Sequence, residues 1–149
     1  MNVEVRLLGR DEGAVLDRVA PDVFDEEVDP RWLAEFLADA RHHLAIAIEG
    51  TTVVGFASAV HYVHPDKAPE LWINEVGVAP AYQRRGLGRR LLTLLLHHGR
   101  SLGCVQGWVL TTPSNQAALG LYQAVGGRAD AEPCVLIEFP IRPLESAPD

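Results

Sequence analysis

The sequence ELWINEVGVAPAYQRRGLGRRLL, from Glu70 to Leu92, decides how the rest of the chain is organised. Residues 71–79 are apolar enough for a buried strand that stops at Pro80, and the glycine-containing residues 83–88 lead directly into a long helix with an apolar face. A helix that begins on glycines presents unpaired N–H groups and the positive end of its dipole. Arg84 and Arg85 add positive charge there, so the turn is predicted to hold a phosphate or pyrophosphate. The alternative is that the glycines serve turn geometry alone.

The chain has 149 residues, is 48% hydrophobic and carries a formal charge of −7. These values predict one globular domain over residues 1–141, followed by a polar tail, 142–149, that is expected to be disordered. The acidic excess argues against nucleic acid or an anionic membrane as a partner and favours a cationic small molecule. No leader-like or membrane-spanning segment is recognised, so a cytoplasmic protein is expected. Cys104 and Cys134 are expected to be buried packing residues in strands.

Hydrophobic periodicity and turn residues predict the other elements. Strands are predicted at 3–8, 44–49, 52–63, 105–111 and 134–141, with a possible bulge at Gly55, and helices at about 11–19, 30–41 and from 113 to the glycines at 126–127. The helix 30–41 is expected to bury a stripe of Trp32, Leu33, Phe36 and Leu37. Helices interspersed among the strands imply an α/β fold with a mixed sheet that is covered on both faces.

Residues 22–29, called the acidic loop below, combine five carboxylates with a few apolar side chains. One interpretation is a solvated loop that its apolar residues attach to the core, and the other is a rim that binds a cation. His61 and His64 fall on opposite faces of a strand, so no joint metal site is predicted from them.

Two motifs in this chain resemble signatures of the GNAT superfamily of acyl-CoA-dependent N-acetyltransferases. Gln83, Gly86 and Gly88, after the segment Val78-Ala79-Pro80, match Q/R-x-x-G-x-G/A, and residues 115–122 match N-x-x-A-x-x-x-Y. The resemblance spans roughly residues 52–139. It implies a central, mostly antiparallel sheet of about six or seven strands with about four helices and a V-shaped splay between the fourth and fifth strands. It also implies acetyl-CoA as the cofactor and a homodimer.

The resemblance assigns the diphosphate of the coenzyme to the glycine turn and its pantetheine arm to the edge of the strand before it. The residues implied in coenzyme binding are Val76, Gly77, Val78, Gln83, Arg84, Arg85, Gly86, Leu87, Gly88, Arg89, Asn115, Ala118 and Tyr122. On a helix Asn115, Ala118 and Tyr122 lie at i, i+3 and i+7 and face the same way. Gly77 inside a strand indicates a bulge or a close backbone approach.

Acetyl transfer needs a neutral amine beside the thioester, stabilisation of the oxyanion and a proton for the departing thiolate. Glu75 is the candidate base, acting directly or through water, and Tyr122 is the candidate acid. The backbone N–H of Val76 or Val78 is the candidate oxyanion donor. The alternative for Glu75 is a strand carboxylate paired with a neighbouring Arg or Lys, and for Tyr122 a core tyrosine.

A looser resemblance concerns the acceptor. Phe24-Asp25 in the acidic loop, Tyr62 with His64-Pro65-Asp66, and Glu75 before the Val-x-Val of the central strand are similar to the aminoglycoside 3-N-acetyltransferase branch of GNAT. It implies a polycationic small-molecule amine bound by Asp22, Phe24, Asp25, Glu26, Tyr62, His64 and Glu75. The alternatives are another amine, such as a polyamine, an amino acid, a peptide or a protein, and a non-catalytic module that binds acetyl-CoA.

Overall fold

The computed structural model describes residues 2–142 and contains a single five-stranded sheet in the order β1-β2-β3-β4-β5. The strands are β1 Val3–Leu7, β2 His42–Glu49, β3 Thr52–His64, β4 Lys67–Val78 and β5 Gln106–Trp108. β1 to β4 pair antiparallel, and β5 runs parallel to β4. The predicted mixed, mostly antiparallel sheet is confirmed.

Three α-helices accompany the sheet: α1 Pro30–Ala38, α2 Leu87–Ser101 and α3 Gln116–Ala124. Two short 3-10 turns, Gly13–Asp17 and Pro80–Tyr82, complete the regular structure of residues 2–142. α1 begins as its sequence predicts, because Pro30 occupies its first turn and the Asp29 side chain accepts a hydrogen bond from the Arg31 amide. No helix in the described part of the chain is long and apolar enough to cross a bilayer.

Both faces of the sheet are covered, as predicted. α2 lies on one face, where its buried residues Leu91, Leu92 and Leu95 join the core and Gly99 lies against Leu71 of β4. On the other face Phe24 of the acidic loop stacks on Phe56 of β3, with ring centroids 4.1 Å apart. This double cover explains why the middle strands are almost continuously apolar.

The pairing of β4 changes along its length in two ways. β5 pairs only with residues 70–72 of β4, so from Ile73 onward the same edge of β4 has no strand partner among residues 2–142. This divergence corresponds to the predicted splay between the fourth and fifth strands. A bulge also lies at Asn74, because Ser58 of β3 pairs with Glu75 while its neighbour Ala59 pairs with Ile73. A second irregularity lies beside Gly55, where a bulge was predicted.

Several sequence predictions are wrong in detail. Residues 134–141 form no strand, so residues 2–142 contain five strands and three α-helices rather than six or seven and about four. Cys134 is exposed, and Cys104 precedes β5 and is only partly buried. Trp32 does not belong to the core stripe of α1, since it is 64% exposed and lies beneath the Arg31 guanidinium. Of the predicted tail, residues 143–149 lie outside the described part of the chain.

Candidate functional site

The turn between β4 and α2 has an unusual backbone conformation. Arg84 has φ 61° and Gly86, the N-cap of α2, has φ 77°. Gly86 is therefore required by the left-handed geometry that glycine adopts without a steric penalty. The Gln83 side chain donates to the Val78 carbonyl over 3.0 Å, which fastens the start of the turn to the end of β4. Gln83 thus serves the shape of the turn.

The amides of this turn are left unbonded. Within the described residues 2–142, no protein acceptor receives a hydrogen bond from the backbone N–H groups of residues 84–89, and the first bond of α2 runs from the Arg90 N–H to the Gly86 carbonyl over 3.1 Å. The side chains of Arg84, Arg85 and Arg89 are exposed at the same place. Free N–H groups, a helix dipole and guanidinium groups together suit a diphosphate. The residues present therefore fit the anionic part of coenzyme A.

The first turn of α2 also receives α3. A Cβ at Gly88 would meet the Leu121 side chain at 3.3 Å, so the glycine permits close packing of the two helices. Leu87 is 4% exposed and anchors the turn in the core. Leu87 and Gly88, both predicted to hold the coenzyme, therefore have a packing role. Only their backbone N–H groups can contribute to an anion site.

Tyr122 follows Leu121 on α3 and packs partly buried against the core. Burial raises the pKa of its hydroxyl above the ordinary value, so the phenol is neutral at physiological pH and holds a proton that it can donate. Asn115 is the N-cap of α3, and its side-chain oxygen accepts a hydrogen bond from the Ala118 N–H over 3.1 Å. The cap alone explains why Asn115 and Ala118 are three residues apart in the motif, and no ligand is needed to explain this spacing.

Gly77 of β4 is a point of close approach, as predicted, but its neighbour is the protein itself. A Cβ at this position would overlap the Val23 carbonyl of the acidic loop and lie 2.7 Å from the Phe56 ring. The acidic loop therefore crosses β4 at Gly77, because only glycine, which has no Cβ, leaves room for the backbone of the loop. β5 does not pair with this part of β4, so the strand edge at Val76, Gly77 and Val78 has no neighbouring strand among residues 2–142.

The crossing of the loop brings Asp25 to Glu75. Partial loss of hydration, a hydrogen bond to the Asp25 carboxyl and the negative charge of Asp25 raise the pKa of Glu75 above its usual range. The sequence predicts both residues for the site but does not predict their contact. A carboxylate whose pKa is raised is a stronger base than an ordinary carboxylate, which suits it to accept a proton.

Apart from Tyr62 of β3, the remaining predicted acceptor residues lie in two further places. A cavity of about 1240 Å³ between the Gly13–Asp17 turn, the acidic loop and α1 is lined by Asp22, Phe24, Asp25 and Glu26, among others, but not by Glu75. His64 lies at the β3–β4 hairpin, bonded to Asp66, six residues along β3 from Ser58. That distance is roughly 20 Å, so the structure does not bring His64 to Glu75. Among residues 2–142 no cluster of His, Cys, Asp and Glu is arranged to hold a metal ion.

Comparison with known proteins shows the same kind of domain. Residues 14–126 match the Acetyltransferase (GNAT) family. The N-alpha-acetyltransferase RimI of Mycobacterium tuberculosis is 39% identical over 104 residues, which cover 70% of this chain and 63% of that protein. The L-2,4-diaminobutyric acid acetyltransferase of Marinococcus halophilus is 28% identical over 100 residues, which cover 67% of this chain and 55% of that protein. The chain thus covers less than two thirds of the length of each of these relatives.

A solved structure also shares the fold. The aminoglycoside acetyltransferase meta-AAC0020 from an uncultured soil metagenomic sample, solved in complex with trehalose, superposes with a TM-score of 0.80 at 18% identity, covering 94% of this chain and 97% of that one. The match confirms the GNAT-like architecture that the two sequence motifs predicted.

Proposed function

The chain belongs to the GNAT family of acetyltransferases, and on that premise we propose that it transfers the acetyl group of acetyl-CoA to a primary amine of a polycationic aminoglycoside. The observation that carries the proposal is the row of unbonded amides at residues 84–89 beside Arg84, Arg85 and Arg89. When bound there, acetyl-CoA supplies the activated acetyl group. The turn would hold its diphosphate, and the free edge of β4 would hold its pantetheine arm.

The chain's own groups supply the two proton transfers. Glu75, whose pKa is raised by partial burial and by Asp25, takes a proton from the ammonium of the acceptor. Tyr122, neutral because burial raises its pKa, gives a proton to the departing thiolate. A backbone N–H at Val76 or Val78 stabilises the oxyanion. Asp25 keeps its place beside Glu75 because Gly77 lets the acidic loop cross the strand.

An aminoglycoside is favoured as the acceptor because the acidic loop presents carboxylates next to Glu75. Asp22, Asp25 and Glu26 line the cavity beside the loop, and each is exposed to solvent. Such an array attracts a molecule with several ammonium groups and holds it by charge-assisted hydrogen bonds. The resemblance to the 3-N branch makes the 3-amino group the proposed site of acetylation.

A second candidate acceptor is the N-terminal amine of a protein or peptide. The 39% identity with an N-alpha-acetyltransferase favours it. A peptide acceptor carries one reacting amine rather than several, so it gains less from the carboxylates of the acidic loop.

The test measures thiol release from acetyl-CoA with a panel of amines: an aminoglycoside such as kanamycin, spermine, and peptides with a free N-terminal alanine. We expect kcat/KM to be highest for the aminoglycoside and to fall as salt is added, since salt screens the carboxylates. A higher kcat/KM for the peptide would make the N-terminal amine of a protein or peptide, not the aminoglycoside, the acceptor. If none of the amines in the panel causes thiol release, although calorimetry shows that acetyl-CoA binds, the chain is a non-catalytic module.

A further inference from the structure

Three aromatic side chains from neighbouring strands form a cluster that the proposed mechanism does not use. Trp72 of β4 and Trp108 of β5 stack with ring centroids 5.7 Å apart and an interplanar angle of 20°. Tyr62 of β3 meets Trp108 edge-on, and its hydroxyl accepts a hydrogen bond from the Trp108 indole N–H over 2.6 Å. We call Tyr62, Trp72 and Trp108 the aromatic floor.

The aromatic floor lies on the same face of the sheet as Glu75. Glu75 pairs with Ser58 and Trp72 pairs with Val60, and Ser58 and Val60 point to one face because they are two residues apart on β3. Simple alternation along β4 would place residues 72 and 75 on opposite faces. The bulge at Asn74 restores them to one side. Two residues along a strand correspond to about 7 Å, so the floor begins next to the carboxyl pair.

The aromatic floor remains partly open to solvent. All three of its side chains are only partly buried, whereas Leu71, which points to the opposite face beneath α2, is 1% exposed. Glu70, opposite Tyr62 in the register, adds a carboxylate on the floor's side and accepts from the Gln106 side chain over 3.2 Å. The face therefore presents stacked π surfaces between carboxylates. That combination attracts cations and the C–H groups of saturated rings.

We propose that the aromatic floor is an acceptor subsite that binds an amine-bearing saturated ring while the Asp25–Glu75 pair receives the reacting amine of the same molecule. The proposal rests on the proposed function and assigns a saturated ring of the aminoglycoside to the aromatic floor, a contact that a linear polyamine makes less well. Each indole of the stack is held in place by the other, so its outer face is a rigid surface on which a saturated ring packs with little loss of freedom. A linear chain pays more conformational entropy for the same contact.

The test compares two tetra-amines, the aminosugar neamine and the linear spermine, in the wild type, Trp72→Leu and Trp72→Phe. We expect Trp72→Leu to raise KM for neamine about five- to thirtyfold, as the loss of a cation–π contact predicts. KM for spermine and for acetyl-CoA stays within about twofold, and Trp72→Phe recovers most of the loss for neamine. Trp32→Leu is the matched control, because it removes an exposed indole on α1 that lies outside the floor. Thermal melting verifies that each variant is folded.

A binding measurement separates this proposal from the proposed function. The chain has three tryptophans, so Trp32→Phe leaves only the two of the floor as fluorescent reporters. We expect neamine, but not spermine, to change their emission. If that change occurs without acetyl transfer, the subsite stands and the proposed function fails. If neamine is acetylated but neither emission nor the Trp72→Leu KM responds, the subsite is overturned and the proposed function stands. Equal effects of Trp72→Leu on both tetra-amines also overturn the subsite.

Discussion

The two ends of α2 differ in what satisfies their polar groups. At the N-terminal end, the amides of residues 84–89 meet no acceptor within residues 2–142. At the C-terminal end, the His98 carbonyl accepts from the Leu102 N–H over 3.1 Å, the Gly99 carbonyl accepts from the Cys104 N–H over 3.0 Å, and the His98 ring bonds His43. One helix therefore has an end that the protein closes with its own groups and an end that it leaves for a ligand. Binding is expected to depend on the open end and stability on the closed end.

The closed end contains a hydrogen-bonded row of three histidines. His43 of β2 is 8% exposed and bonds His61 of β3 through Nε2 over 2.7 Å and His98 of α2 through Nδ1 over 3.1 Å. Burial, followed by the charges of His98, His61 and His42, lowers the pKa of His43 to about 4, while Asp39 opposes the shift. A neutral ring has one donor and one acceptor, which matches the two bonds.

The largest expected effect is at the open end, where α3 packs on Gly88. Tyr122→Phe removes the proposed acid without changing the packing, so kcat should fall about ten- to a thousandfold. KM for acetyl-CoA should change little, and the melting temperature should stay close to that of the wild type. Steady-state thiol release and thermal melting measure both. Full activity in this variant would mean that solvent protonates the thiolate.

The next effect belongs to the closed end and concerns stability. The pKa of His43 is about 4 in the folded chain and near 6.5 in the unfolded chain. The unfolded state therefore binds the proton first, and the stability present above pH 6.5 is lost as the pH falls toward 4. The loss is on the order of 3 kcal/mol.

His43→Gln should flatten this part of the profile of melting temperature against pH. His97→Gln is its matched control, because His97 is exposed on α2 next to His98 and should keep the wild-type slope. An unchanged slope in His43→Gln would assign the acid sensitivity to other groups. Activity at neutral pH should be nearly insensitive to both changes.

A smaller effect is expected from the charges of the open end. Replacing Arg84 and Arg85 together by glutamine should raise KM for acetyl-CoA about ten- to a hundredfold, since each exposed guanidinium group contributes roughly 1 kcal/mol to binding a phosphate that solvent screens. Arg100→Gln is the matched control, because Arg100 is an exposed arginine in the last turn of the same helix. If Arg100→Gln raises KM for acetyl-CoA equally, the effect comes from net charge, and the two ends of α2 do not differ in coenzyme binding.

The smallest effect tests the carboxyl pair next to the open end. Burial is the first cause of the raised pKa of Glu75 and Asp25 adds to it, so Asp25→Asn should move the acid limb of kcat/KM against pH part of the way to lower pH. Glu75→Gln should abolish that limb and lower turnover while acetyl-CoA still binds in calorimetry. A pH profile that neither variant changes would remove Glu75 from the role of base.

The sequence predicted much of this arrangement because its signals are local. The proline after β4, the glycines of the turn and the apolar face of α2 follow one another within residues 78–95, so each constrains the next. The start of α1 was predictable for the same reason, since Asp29 and Pro30 act within one helical turn. The family resemblance of the two motifs added the order of the elements.

What the sequence did not predict depends on contacts between distant residues. The bulge at Asn74 is a property of the pairing with β3, and without it Trp72 cannot be placed beside Glu75. The contact of Asp25 with Glu75 depends on where the acidic loop crosses β4, 50 residues further along the chain. Residues 134–141 have the composition of a strand, but strand formation needs a partner that composition does not specify.

The early end of pairing between β5 and β4 has a consequence for experiments in solution. Edge amide protons of β4 beyond Trp72 are bonded to no neighbouring strand among residues 2–142, so they should exchange rapidly with deuterium in the ligand-free protein. A ligand that lies along this edge should slow their exchange without affecting the β3-facing amides of the same strand. Mass spectrometry of peptides from this region would then report occupancy of the site directly, even for a compound that is never acetylated.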